Sequence, residues 1–460
     1  MDIDIVVVGT YAFVMLLLGW FGMRRAKSSE EFLVAGRRLG PWMYMGTMAA
    51  TVLGGASTIG TVRLGYQYGI SGLWLCAAMG AGIIVLNLFL SKHILKLKVR
   101  TVNQVLEHRY NRSVKRVSSF IMFSYALMVC VVSFLAIGSI AQVILGLSPW
   151  LAILLGASVV VIYSTIGGMW SLTLTDMVQF LIKTVGMMFL LLPICYIKAG
   201  GWEGLQNNLP QTAFDLSGIG WDKIATYFVI YFFGILIGQD IWQRVFTARS
   251  EHVTQVAGTG AGVYCLVYGA VGAIIGMCAH VILPNISDAN NAFAMVVQNA
   301  LPPGVRGLVI AAALSAMMST ASAGLLAAAT TLTEDVIGKP KFSTLTWNRL
   351  ATLGVGLVAA ALSLAVHDVL DALTIAYNFL VGGMLVPLLG AIYWRRSTTA
   401  GAMVSMVSGF VVCATWMYVD GIDANTPIYY GLAVSLASFV VISLLGKSEA
   451  RNLVPSESGV

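Results

Sequence analysis

The run MAATVLGGASTIGTVRLGYQYG, Met48 to Gly69, sets the pair Gly54-Gly55, the hydroxyls of Ser57, Thr58 and Thr61, and the charge of Arg63 inside an otherwise apolar stretch. A glycine pair in an apolar helix fits two readings. One is close packing through small residues. The other is an unwound break whose freed carbonyls coordinate a cation and whose half-helix ends face a solute. Hydroxyls crowd both sides of the pair and favour the break, because hard cations take oxygen ligands. Farther along, TDMVQFLIKTVGMMF places Asp176 and Lys183 seven residues apart. Seven residues turn a helix about 700° and rise about 10 Å, so both lie on one face, with Lys183 nearer the midplane. A lysine can snorkel to an interface, but Lys183 lies deep within its run. An intramembrane ionisable group is a functional hypothesis by default. An ammonium at that depth either repels a bound metal cation or carries the coupled proton itself.

These residues need a membrane scaffold, and the composition supplies one. The 460-residue chain is 58% hydrophobic and only 10% charged, with a mean hydropathy of +0.85, against about 25% charged residues in soluble domains. Thirteen apolar stretches are long enough to span: 4–22, 40–62, 72–97, 117–145, 150–168, 174–197, 223–241, 254–283, 304–333, 347–366, 369–393, 400–419 and 428–446. Each must be a helix, because lipid cannot satisfy the backbone of an open sheet edge. The net charge of +7 does not point to nucleic acid. Most Lys and Arg fall in alternate short loops, from MRRAKSSEEFLVAGRR through QRVFTAR to GKSEAR. That bias puts the N-terminus outside and the C-terminus in the cytoplasm of a multi-pass plasma-membrane protein. Residues 1–446 form one transmembrane domain, and 447–460 a short cytoplasmic tail.

The acidic start MDIDIVVVG does not fit a cleavable signal peptide. All six cysteines lie in apolar segments without metal-ligand spacing and are expected to be small core residues. His93, His108, His252, His280 and His367 are scattered, and no nucleophile–base pair accompanies them. The chain is therefore not expected to be an enzyme or to hold a cofactor beyond a coupling Na+ or H+. Lipids and a small-molecule substrate are its expected partners. No nucleic acid and no obligatory protein partner is called for.

A second break is expected in YFVIYFFGILIGQDIWQR, where Gly234 and Gly238 interrupt a span ahead of Gln239 and Asp240. It lies five spans after the first. The chain thus reads as two five-helix repeats, about 40–197 and 223–393, with one helix before and two after. An odd repeat length makes them inverted.

The segments EEFLVAGRRLGPW, GTVRLGYQYGISGLW, GGMWSLTLTDMVQFL, GQDIWQRVFTARS, ALSAMMSTASAGLLAAATTLTEDV and GAIYWRRSTTAGAM resemble the sodium:solute symporter family. The family comprises sodium-coupled carriers of proline, glucose, sialic acid and pantothenate. The resemblance implies an all-α fold with a leucine-transporter-like 5+5 inverted repeat of thirteen spans, and cation-coupled uptake of a small polar organic solute. It places the main sodium site on the carbonyls of Ala50 and Leu53, the carbonyl of Ala316 and the hydroxyls of Ser319 and Thr320. It implies a further sodium site at Asp176 and Ser322, where Ala323 replaces a helpful serine. Gly54 stands where many members carry serine, and Val52 where some carry a polar residue. These hydroxyls could instead bond between helices, and Asp176 could cap its helix or meet interfacial water.

Lys183 is the larger departure, and it leaves Na+ coupling, H+ coupling and sodium-independent transport on the same fold all open. A sensor built on a transporter module is the other alternative. Arg63 either forms an outer gate or binds a carboxylate bidentately. Gly54, Gly55, Ser57, Thr58, Gly234, Gly238 and Gln239 are the candidate solute pocket, with Gln142, Tyr377 and Asn378 from neighbouring helices.

Overall fold

The computed structural model describes residues 2–338, 343–365, 368–422 and 424–446; the expected tail 447–460 and His367 lie outside the described residues. Among these, the regular elements are helical, with one isolated bridge between Leu39 and Ala248. Helices begin where polar caps stand. Ser28, Thr101, Asn111, Asp368 and Thr398 each accept a backbone N–H from the first turn that follows them.

Ten helices are long and apolar enough to cross a membrane, or eleven if Trp221–Ile237 and Gln239–Val245, bent by 49°, count as one span. Two continuous runs, Ala56–Lys96 of 41 residues and Pro149–Lys198 of 50, are each about twice the length of one crossing. The first joins the outer half of the expected span 40–62 to span 72–97. The inner half, Pro41–Val52, has only 12 residues, too few to cross alone. The second run joins 150–168 to 174–197. These two mergers account for the difference from thirteen.

The bundle has a centre and a rim. The span within Val305–Val336 is 89% buried, against 22% for Ile3–Arg25. Val305–Thr331 packs on Arg112–Leu145, Pro149–Thr184 and Asp2–Arg25, so a helix rich in Ala, Ser and Thr becomes the core post. Without a hydrophobic force between helices in lipid, close approach of small residues does the packing. Thr61–Tyr68 lies so near Thr259–Ile282 that a Cβ on Gly65 would come 2.3 Å from the Ala273 carbonyl oxygen.

Gly168 bends the helix Pro149–Thr184 with φ 53° and ψ −138°. A Cβ there would lie 2.4 Å from the Phe32 carbonyl oxygen. The substitution Gly168→Ala is expected to cost about 1–3 kcal/mol through strain at this backbone position. Gly354→Ala, on an exposed helical face with nothing within 4 Å, should instead be neutral or slightly stabilising. Thermal unfolding of both variants in detergent checks the contrast.

Candidate cation and solute site

The first break sits where the sequence places it. Pro41–Val52 ends at Leu53, whose φ of −89° and ψ of 76° leave the helix, and the chain becomes helical again from Gly55. The carbonyls released there are all met. Ser319 Oγ donates to the Ala50 carbonyl at 2.8 Å and to that of Ala316 at 2.9 Å. Thr320 Oγ1 donates to the Thr51 carbonyl at 2.7 Å. Ser57 Oγ lies 3.3 Å from the Val52 carbonyl oxygen and 3.2 Å from that of Gly54. Lys183 supplies the rest: its Nζ is 3.3 Å from the Ala49 carbonyl oxygen and 3.4 Å from those of Ala50 and Leu53. Fully buried, this ammonium lies among the same carbonyl oxygens that the resemblance assigns to sodium. Asp176, Cys76 and Cys265 are the ionisable groups that face it.

The structure also accounts for Gly54. A Cβ there would lie 2.4 Å from Thr320 Oγ1. A serine would collide with the hydroxyl that satisfies Thr51, so glycine here brings the break against its partner helix.

Asp176 is fully buried about two turns before Lys183 on the same helix face, where it accepts a hydrogen bond from Thr47 Oγ1. Its cation is Arg244, whose Nη2 lies 3.5 Å from Oδ2. Sequence reading counts Arg244 among loop basic residues. The structure corrects this: Arg244 is fully buried in the short helix Gln239–Val245. The available signal is its spacing, one turn after Asp240, which puts two opposite charges on one face of a membrane helix. Ser322 does not reach the carboxylate; its Oγ donates to the Ser319 carbonyl at 3.0 Å.

The second break falls at Gly238, with φ −64° and ψ 133°. Trp242 Nε1 donates to the freed Leu236 carbonyl at 2.7 Å. Between the two breaks lies a cavity of about 30 Å³, room for about two waters. Gly54, Gly55, Ser57 and Tyr377 line it, as expected, together with Thr320 and Asp240. Gly234 supports the wall, since a Cβ there would lie 2.1 Å from Tyr377 Cδ1.

Other candidates stand elsewhere. Gln239 turns toward the basic end of the bundle, where Oε1 accepts from the Val102 amide at 2.9 Å and Nε2 donates to the Arg100 carbonyl at 3.0 Å. The next residue, Asp240, points about 100° around the helix into the cavity. Thr58 bonds Tyr268 Oη at 2.9 Å, and Asn378 Nδ2 lies 3.8 Å from Met417 Sδ. Gln142 is exposed. Arg63 donates through Nη1 to Asn290 Oδ1 at 2.8 Å, away from the cavity.

The basic end is closed by ion pairs. Glu30 binds Arg37 and Arg100 at 2.8 Å each, Arg100 also binds Glu334 at 3.1 Å, and Lys115 binds Glu107 at 2.7 Å. Burial pushes the Glu30 carboxyl up, but the two guanidiniums outweigh it and hold the group below its ordinary range. A lowered carboxylate stabilises the closed end at neutral pH, and that contribution is lost as pH falls through its folded-state value.

Breaking the Asp176–Arg244 pair leaves an uncompensated buried charge. Asp176→Leu and Arg244→Met should each cost about 3–5 kcal/mol, while the double variant recovers most of the loss. Denaturation midpoints of the three variants test this as a double-mutant cycle.

Comparison with known proteins shows the family and the fold. The chain is 24% identical over 480 residues to the sodium/proline symporter of Staphylococcus aureus strain JH9, covering 96% of this chain and 92% of that one. A Na+-coupled sialic acid symporter in a substrate-bound outward-open state shares the fold with a TM-score of 0.86 at 18% identity, over 98% of this chain and 99% of that one. Mhp1, a nucleobase-cation-symport-1 family transporter, superposes with a TM-score of 0.57 at 15% identity, over 90% of this chain and 94% of that one. The sodium:solute symporter family model matches residues 32–409. This chain belongs to that family of transporters, and it is not an enzyme.

Proposed function

We propose that this transporter imports a small organic solute across the plasma membrane by alternating access between the two broken helices. We further propose that the Lys183 ammonium does at the first break what sodium is expected to do there in the family. One observation carries this reading: Lys183 Nζ stands 3.3–3.4 Å from the carbonyl oxygens of Ala49, Ala50 and Leu53. Two monovalent cations about 4 Å apart near a protein interior repel by about 4 kcal/mol at an effective dielectric of 20. A sodium ion and this ammonium therefore do not share the cradle. Ser319 and Thr320 keep the break closed by bonding its carbonyls directly.

On this reading the basic end, with Arg37, Arg100 and Lys115, is cytoplasmic, and the repeats run about 40–197 and 223–393. The chain is a proton symporter if Lys183 loses its proton during the cycle, and a uniporter if it does not. Uptake with and without a pH gradient separates the two. The Na+ coupling of the similar sialic acid symporter supports the alternative that sodium binds here, and Ser319 and Thr320 are the residues that would hold it.

Exchanging potassium for sodium should leave the melting temperature of the wild type unchanged. In Lys183→Ala the cradle is freed, and sodium should stabilise the protein by about 1.4 kcal/mol at ten times its Kd. Adding Ser319→Ala should abolish that gain. A sodium-specific rise in the wild type would place the metal ion, not the lysine, at the centre of coupling.

A further inference from the structure

We infer that the solute is a small organic cation, recognised through its positively charged nitrogen by the Asp240 carboxylate and the ring of Tyr377. This rests on the reading of the cavity between the two breaks as the solute site, which at about 30 Å³ is closed here and must widen as the two broken helices part to admit the solute.

The cavity carries one charged side chain. Asp240 lines it, 3% exposed, while the other walls are apolar or hydroxyl-bearing, among them Val129, Val132, Leu373 and Thr320. Arg63 and Lys183 do not line it. A carboxylate at this depth is costly unless paired. Tyr125 Oη donates to Asp240 Oδ1 at 3.2 Å, backbone amides of Ile241 and Asp240 itself also bond the carboxylate, and the Arg244 charge acts on it without contact. Arg244 lies one turn on, and its one ion pair among the described residues is with Asp176. No Lys or Arg nitrogen comes within 4.0 Å of Asp240 among the described residues. Arg244, in contact with Asp176, acts on Asp240 only from a distance, which leaves the carboxylate free to take a contacting cation from the cavity.

The aromatic wall fits the same ligand. Tyr377 faces the cavity and packs edge-on against Tyr125, with centroids 5.2 Å apart, and against Tyr231 at 5.3 Å. Tyr231 Oη is held by Thr374 Oγ1 at 3.3 Å. Edge-to-face packing fixes the Tyr377 ring, and a fixed ring face beside a carboxylate attracts an ammonium by both cation–π and ion-pair terms. An anionic solute would meet repulsion from Asp240, and a neutral one would leave the carboxylate buried without a counter-charge in contact.

The test measures thermal stabilisation of the purified full chain by matched probes at equal concentration in potassium buffer. The probes are choline, tetramethylammonium and ethanolamine as cations, 3,3-dimethylbutan-1-ol as the neutral shape of choline, acetate and lactate as anions, and sodium. The expected result is a saturable rise with at least one organic cation and none with the alcohol or the anions. Asp240→Asn, nearly the same shape, should bind that cation about ten- to a hundredfold more weakly, Asp240→Glu less so, and Tyr377→Leu should also weaken it. The inference is overturned if only anions or the neutral alcohol stabilise, if no cation does, or if sodium alone stabilises through Asp240. Equal cation affinity in Asp240→Asn would show that Asp240 is a protonated structural group, which also overturns it. If a cation binds and Arg63→Gln weakens it while the Asp240 and Tyr377 variants do not, the reading of the central cavity fails instead of the ligand class.

Discussion

Backbone carbonyls released at mid-membrane have no water to turn to, and the rest of this structure is organised around that need. At Leu53 the helix stops for a few residues, and five successive carbonyls, from Ala50 to Gly54, must find donors within the protein. A serine and a threonine on the most buried helix, a serine just past the break, a backbone amide and a lysine ammonium fill the demand. Each donor sits on an element whose position follows from the task. Val305–Thr331 is a small-residue post that can approach the break closely, and Pro149–Thr184 carries Lys183 on the face turned toward it. Gly54 completes the fit, because any side chain there would displace Thr320.

A second constraint shapes the charges. Asp176, Lys183, Asp240 and Arg244 are all buried between the two breaks or just below them. Asp176 takes Arg244 as its ion-pair partner and Lys183 takes neutral carbonyls. Asp240 has a phenol, adjacent backbone amides, the more distant Arg244 charge and a face on the cavity. Charges in such a place are expensive to keep. Their arrangement separates a cradle held by the Lys183 ammonium from a cavity lined by the Asp240 carboxylate. The two breaks thus hold opposite charge environments although they arise from related segments of an inverted repeat.

Much of this was legible in the residues. The apolar runs gave the spans, and the glycine pair with its hydroxyls gave the first break. The interval of seven between Asp176 and Lys183 gave a shared face, which follows from helix geometry alone. Motif order gave the family. Less legible was the role of each neighbour. Gln239 and Asp240 are adjacent and both polar, yet one seals the basic end and the other lines the cavity. Arg244 read as a loop charge because its run of basic residues resembles a cytoplasmic boundary, while the fold draws it inward to Asp176.

The sequence by itself determined the membrane class, the helix periodicity, the positions where the backbone gives way and the presence of a lysine where the family resemblance calls for a metal ion. These are local properties, carried by hydropathy, by glycine and by spacing along one helix. Only the tertiary structure decided which oxygens Lys183 reaches, that Arg63 points to Asn290 rather than into the cavity, and that Asp240 lines the cavity while Arg244 makes its contact with Asp176 instead. Those outcomes depend on how separate helices rotate and approach one another. In lipid that is set by close packing of small residues and by pairing of buried polar groups across long stretches of chain, which no single segment records.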